Sequence, residues 1–147
     1  PNLDVILVPV GGGGMLAGVS LAVKALLPEI KVIGVEPSGA DDAKRSFVTG
    51  QHVRQHQPDT IADGLRTTLG ALNFALIRDH TDDIVTVTDT QIIAAMKLYM
   101  TRAKALVEPS GIVGLAAVLA NPGRFAKQRV GIVISGGNVD LEHPVWV

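Results

Sequence analysis

Val5-Ile6-Leu7-Val8 is a short, largely β-branched run, set between polar Asn2 and Asp4 on one side and Pro9 and a glycine cluster on the other. Such a run reads as a buried parallel strand. Leu16 to Leu27 follows as a mostly apolar helix that Pro28 closes, and Val32 to Val35 is the next strand. Strand, glycine-rich turn, helix and strand in that order make a βαβ unit, whose two strands run parallel. Ala40 to Gly50 predicts a polar helix, Gln51 to Asp59 a solvated loop, Leu72 to Asp79 another short helix and Ile84 to Val87 a third strand. Thr88-Asp89 then offers an N-cap to a helix from about Thr90 to Ala105. In it Ile92, Ile93, Met96, Tyr99, Met100 and Ala103 keep a 3.6-residue period, which marks them as packing residues. After a break at Val107 to Gly111, Ile112 to Leu119 predicts a helix whose Gly114, Ala116 and Ala117 allow close approach to a sheet; Asn121-Pro122-Gly123 terminates it. Val130 to Ile134 is the last strand. The fold class is therefore α/β, an open and mostly parallel sheet flanked by helices.

Composition narrows the partners. The 147 residues are 47% hydrophobic and 18% charged, which describes globular material and excludes a disordered tail. Thirteen Lys+Arg against fourteen Asp+Glu leave no polyelectrolyte footprint for nucleic acid or an anionic membrane. No apolar stretch approaches the roughly 18 residues of a membrane span. With no cysteine there is no disulfide scaffold, thiolate zinc site or Cys nucleophile. Glycine is the departure: sixteen are present, where an average usage of about 7% gives about ten. Pro1 leads straight into the first strand with no initiator Met or targeting segment, so the chain is expected to be cut from a longer protein.

Gly11-Gly12-Gly13-Gly14 lies directly after a strand and before a helix, where free N–H groups and the helix dipole converge and where no Cβ obstructs an anion. That suits a phosphate. Met15 and Leu16 stand where a P-loop needs Lys and Ser/Thr, which disfavours a triphosphate site. A dinucleotide fingerprint on Gly11 and Gly13, with Glu36 at the end of the second strand, stays open as an alternative. Ser135-Gly136-Gly137-Asn138 is a second turn at a strand's C-terminal end, the edge where open α/β sheets bind ligands, so the two turns are expected to line one crevice. His52 and His56 have i, i+4 spacing, but Pro58 argues against a helix there and no third ligand is near in sequence.

Five separated motifs, Pro9 to Gly18, Glu36-Pro37-Ser38, Thr60 to Gly64, Glu108 to Gly111 and Ser135 to Asp140, stand in the order and approximate spacing of one family. The chain resembles the serine racemases and serine/threonine dehydratases, pyridoxal-phosphate enzymes of the tryptophan-synthase-β type. The resemblance implies that residues 1–147 are part of a large, cofactor-binding domain, in which Gly11, Gly12, Gly13, Gly14, Met15, Gly64 and Glu108 surround the cofactor and Ser135 hydrogen-bonds the pyridine nitrogen. A hydroxyl partner tends to leave that nitrogen unprotonated, which suits α-proton removal followed by reprotonation or β-elimination. It further implies a divalent cation, Mg²⁺ or alternatively Ca²⁺ or Mn²⁺, at Glu36, Asp42 and the Ala40 carbonyl, hard oxygen ligands for a hard ion. ATP as an allosteric ligand at Lys104 and Asn138, a homodimer, a small amino-acid substrate and a cytoplasmic location are also implied.

A pyridoxal-phosphate enzyme needs a lysine that forms a Schiff base with the cofactor and moves the α-proton. In the family it stands in a Ser-x-Lys-x-Arg-Gly type motif well before the glycine turn. Lys24, Lys31, Lys44, Lys97, Lys104 and Lys127 all lack that context. No catalytic residue is therefore expected within these 147 residues: the Schiff-base lysine and the small domain belong to a missing N-terminal part, and the fragment alone is expected to be inactive. The expected parent activity is interconversion of L- and D-serine with dehydration of serine to pyruvate and ammonia. The alternatives are a threonine/serine or hydroxyaspartate ammonia-lyase, or a non-catalytic phosphate-binding module.

Overall fold

The structure, a computed structural model, describes residues 2–146. Four parallel strands, β1 (Val5–Pro9), β2 (Lys31–Pro37), β3 (Asp83–Val87) and β4 (Val130–Ile132), form one sheet in the order β3-β2-β1-β4. Six helices flank it: α1 (Gly14–Leu26), α2 (Asp42–Thr49), α3 (Ala71–His80), α4 (Asp89–Ala103), α5 (Pro109–Ala120) and the single turn α6 (Pro122–Phe125). Short 3-10 turns occupy Ser38–Ala40 and Asp63–Leu65.

Alternation along the strands explains the two layers. Val5, Leu7, Ile33 and Val35 point to one side, where Ile92, Met96, Ile112 and Val113 of α4 and α5 cover them. Val8, Val10, Val32 and Ile84 point to the other, against Leu16, Ala43, Phe74 and Ile77 of α1, α2 and α3. Because successive side chains of a strand face opposite ways, strands buried on both faces read as continuous apolar runs. Fully burying one such Leu or Ile contributes about 1.5–3 kcal/mol. The small residues of α5 act as their spacing predicts: a Cβ on Gly114 would come within 2.7 Å of Ile132 and 3.4 Å of Leu7.

Several boundaries differ from the sequence pattern. Helix α1 starts two residues early, at Gly14, and α5 three residues early, because Pro109 takes the first helical turn where its missing N–H costs nothing. Asn121-Pro122 ends α5 and at once starts α6. Helix α4 stops at Ala103, with Lys104 in the left-handed region at φ 58°. Strand β4 ends at Ile132, two residues short of the apolar run, and the final bond on this side is from the Val133 amide to the Leu7 carbonyl at 3.0 Å. The N-terminus of α4 is as expected, with Thr88 and Gln91 forming a reciprocal capping box.

Strand order reverses at β1. The chain runs outward through β2 and β3, then returns to place β4 on the opposite side of β1. The C-terminal ends of β1 and β4 therefore flank the switch point, where open α/β sheets bind ligands.

A glycine-walled cleft at the switch point

Strand β1 runs out through Pro9 and Val10 into the glycine tetrad, and Gly14 opens α1. Gly13 is the N-cap, with φ 86°, and no side chain caps the helix. No acidic residue stands in its first turn, and no side chain caps the orphan amides at the positive end of the dipole. The Gly12 carbonyl is held by the Asn73 side-chain amide at 2.6 Å and the Gly70 amide at 3.1 Å. Across a planar trans peptide, this turns the Gly13 N–H to the opposite side.

A cleft of about 220 Å³ lies over this turn. It is lined by Pro9, the four glycines Gly11 to Gly14, Met15, Gly64, Leu65, Glu108, Ser110 and Ser135. The cleft thus brings together all eight residues that the resemblance assigns to the cofactor. Its walls are backbone at close range. A Cβ on Gly11 would lie 3.0 Å from the Leu65 Cα, and one on Gly64 would lie 3.0 Å from the Ser110 hydroxyl. Among the described residues no lysine or arginine lines it, so an anion there would be held by amides and the helix dipole. These features fit a phosphate-bearing planar ligand: a Cβ-free cradle at a helix N-terminus and a hydroxyl, Ser135, on the same cleft.

The Gly64 segment is fixed from three sides. Asp89, the first residue of α4, accepts from the Thr60 hydroxyl at 2.6 Å and the Ile61 amide at 3.0 Å. The Arg66 guanidinium donates to the Thr60 carbonyl. The Ser110 hydroxyl accepts from the Gly64 amide at 3.0 Å. Ser110 and Asn73 are the residues that sequence reasoning does not single out. Ser110 stands inside the Glu108-Pro109-Ser110-Gly111 motif, whereas Asn73 carries no signal.

Glu108 lines the cleft, but its carboxylate is also committed elsewhere. It accepts from the Asn138 amide at 2.8 Å, and the Glu108 amide donates to the Gly136 carbonyl at 3.0 Å. A Cβ on Gly136 would collide with that carboxylate. Glu108 is thus a two-way clasp on the turn that carries Ser135. Asn138 belongs to this clasp, whereas Lys104 does not line the cleft, and among the described residues no hydrogen bond joins the two.

Glu36 and Asp42 are brought together away from the cleft, each 1% exposed. Glu36 Oε1 accepts from the Lys44 amide at 2.6 Å, the amide that would otherwise close a helical turn on the Ala40 carbonyl. Asp42 Oδ2 accepts from the Leu69 amide at 2.7 Å. Burial pushes the Glu36 carboxyl up to about 8, against the lowering effect of the Lys44 amide and with the nearby Asp42 charge reinforcing it. Among the described residues no lysine or arginine pairs with either acid. Two buried acids with only amide donors and a ring nitrogen beside Asp42 fit a positive ion. His52 is stacked on Phe74, with its Nε2 2.7 Å from the Leu69 carbonyl.

The family described as "Pyridoxal-phosphate dependent enzyme" matches residues 1–136. The chain belongs to that family. A serine racemase of Arabidopsis thaliana is 49% identical over 145 residues, covering 95% of this chain and 44% of its own length. A beta-hydroxyaspartate dehydratase of Paracoccus denitrificans (strain Pd 1222) is 44% identical over 145 residues, covering 99% of this chain and 46% of its own length. Among solved structures, maize serine racemase superposes with a TM-score of 0.91 at 44% identity, covering 97% of this chain and 46% of that one. The chain therefore spans less than half the length of these relatives. The expected fold class and family resemblance are both borne out, and pyridoxal phosphate is the family's cofactor. Among the described residues no helix is long and apolar enough to cross a membrane.

Proposed function

We propose that this chain is the cofactor-cradling part of a longer pyridoxal-phosphate enzyme, one that interconverts L- and D-serine and also converts serine to pyruvate and ammonia. The observation that carries the proposal is the convergence of the glycine tetrad, the uncapped N-terminus of α1 and Ser135 on one cleft at the sheet's switch point. When bound, the cofactor supplies a ring that stabilises negative charge at the substrate α-carbon. The amides of Gly11 to Gly14 would hold its phosphate. Ser135 would accept or donate a hydrogen bond at the ring nitrogen without fixing a full positive charge there, as a carboxylate would. Met15, Gly64 and Glu108 would shape the remaining wall. The Schiff-base lysine and the groups that bind the substrate carboxylate would come from the rest of the enzyme, so residues 1–147 alone would be inactive.

A divalent cation at Glu36, Asp42 and the Ala40 carbonyl belongs to the same proposal, and would neutralise the buried pair. ATP at Lys104 and Asn138, a homodimer and a cytoplasmic location follow from the resemblance. Of these two positions Asn138 belongs to the clasp of Glu108 on the Ser135 turn.

The full-length enzyme, supplied with pyridoxal phosphate and Mg²⁺, is expected to form both D-serine and pyruvate from L-serine, read by chiral chromatography and a coupled pyruvate assay. Turnover of 3-hydroxyaspartate or threonine with no inversion of serine would instead establish an ammonia-lyase, the second reading, which the identity to the Paracoccus dehydratase favours.

A further inference from the structure

The buried acid pair has a neighbour that sequence spacing does not connect to it. His56 stands in the loop after α2, and its side chain is only 4% exposed. That loop is pinned by the Val53 amide to the Ser46 hydroxyl at 2.9 Å and by the Asp59 amide to the Gly39 carbonyl at 2.8 Å. Nδ1 of the ring lies 3.3 Å from the Thr68 hydroxyl. Nε2 faces Asp42 Oδ1 at 3.5 Å, too far for a hydrogen bond. Among the described residues it is a buried polar side-chain atom with no hydrogen-bond partner. Buried polar atoms are rarely left so.

The geometry points to a ligand. Two donors bound to one ion at about 2.1 Å stand about 3.0 Å apart at a right angle and about 3.4 Å apart near the tetrahedral angle. Nε2 and Asp42 Oδ1, at 3.5 Å, stand just beyond the upper end of that span. Ligating histidines also tend to have an orienting partner on the other ring nitrogen, and the Thr68 hydroxyl is in that place. An opening lined by Arg54, Gln55, Gln57 and Thr68 leads from solvent to the ring. The three side chains do not already form a closed ligand cluster among the described residues, so the ion itself would draw them together.

We propose that His56 supplies a nitrogen ligand to the divalent cation held by Glu36 and Asp42, and that this shifts the site's preference from Mg²⁺ and Ca²⁺ toward first-row transition ions. The inference rests on the cation reading above and specifies its chemistry. Imidazole is a ligand of transition ions, whereas Mg²⁺ and Ca²⁺ take oxygen.

The test uses the full-length enzyme stripped of metal and titrated with Mn²⁺ alone, with pulsed EPR to detect ¹⁴N coupling and the free-ion signal to give affinity. Wild type is expected to bind Mn²⁺ with imidazole ¹⁴N coupling. His56→Gln is expected to lose the coupling and about tenfold or more in Mn²⁺ affinity, while Mg²⁺ affinity by competition changes less than about threefold. Mn²⁺ bound in wild type without ¹⁴N coupling would overturn the role of His56 and leave the cation site standing; that measurement needs no variant to fold. Coupling that persists in His56→Gln would also overturn it. Mn²⁺ binding that is absent, or unchanged by Glu36→Gln, would overturn both readings.

Discussion

Replacing Gly13 by Ala tests whether the turn that opens the cleft is as constrained as its geometry requires. Gly13 sits at φ 86°, and an added Cβ would stand 2.5 Å from Leu69 Cδ1 and 3.0 Å from both Asn73 Cβ and Ile77 Cδ1. Holding an L-residue in the left-handed region costs about 1–2 kcal/mol. Forcing a methyl into a packed contact of this kind costs about 1–3 kcal/mol more. Gly13→Ala should therefore destabilise the fold by about 2–5 kcal/mol. The same substitution five residues later is the control. Gly18 lies inside α1, and a Cβ added there would meet no atom within 4 Å, so Gly18→Ala should stabilise by about 0.5–1 kcal/mol through helix propensity. Equilibrium urea unfolding of the cofactor-free full-length enzyme measures both. The reasoning is refuted if Gly13→Ala lies within about 0.5 kcal/mol of wild type, the ordinary range of a neutral surface change, or if the two variants shift stability in the same direction.

Thr88→Ala removes one half of the capping box and should cost about 1 kcal/mol in urea unfolding, with cofactor affinity unchanged. Glu108→Ala frees the Asn138 amide and the turn that carries Ser135, and should weaken cofactor binding about tenfold, equivalent to about 1.4 kcal/mol, by absorbance titration. Hydrogen bonds from Arg129 hold the Asp4 carboxyl at about 2, below its ordinary 3.8. A carboxyl depressed on folding stabilises above its unfolded pKa and loses that contribution as pH falls through the folded one. The stability difference between wild type and Asp4→Asn should therefore be full above about pH 5, fall through the range between the two pKa values and vanish by about pH 1; because the pair is exposed, 1 M salt should shrink it at every pH.

Much of the fold is legible in the sequence because strands buried on both faces read as continuous apolar runs, as in β1 and in Val32 to Val35 of β2, and because Thr88 and Pro28 have local meanings. Strand β4 is shorter than its apolar run for a physical reason. Strand length is set by pairing: the Val133 amide still donates to the Leu7 carbonyl, but the next bond of the ladder would need an N–H from Pro9, which proline lacks. Proline carries two meanings that the sequence pattern does not separate: Pro109, read as part of a break, opens a helix, and Pro122 starts one where another ends. Within the cleft, glycine carries the signal because its use at four adjacent positions is costly without a ligand-sized reason. The clasp of Glu108 on Asn138 spans 30 residues and the hold of Asn73 on Gly12 spans 61, so neither leaves a local pattern. His56 is the clearest case. Its spacing to His52 suggests a pair, but the fold stacks His52 on Phe74 and sets His56 beside Asp42.

Whether the glycine turn holds the cofactor by its phosphate is tested most directly by comparing the affinities of pyridoxal phosphate and pyridoxal, by equilibrium dialysis against the full-length enzyme. The aldehyde end is common to both ligands, so the difference reports the phosphate. Hydrogen bonds to a charged group contribute about 1.5–3 kcal/mol each, so the enzyme should prefer the phosphorylated ligand by about 100-fold or more. An equal affinity for both ligands would contradict the account.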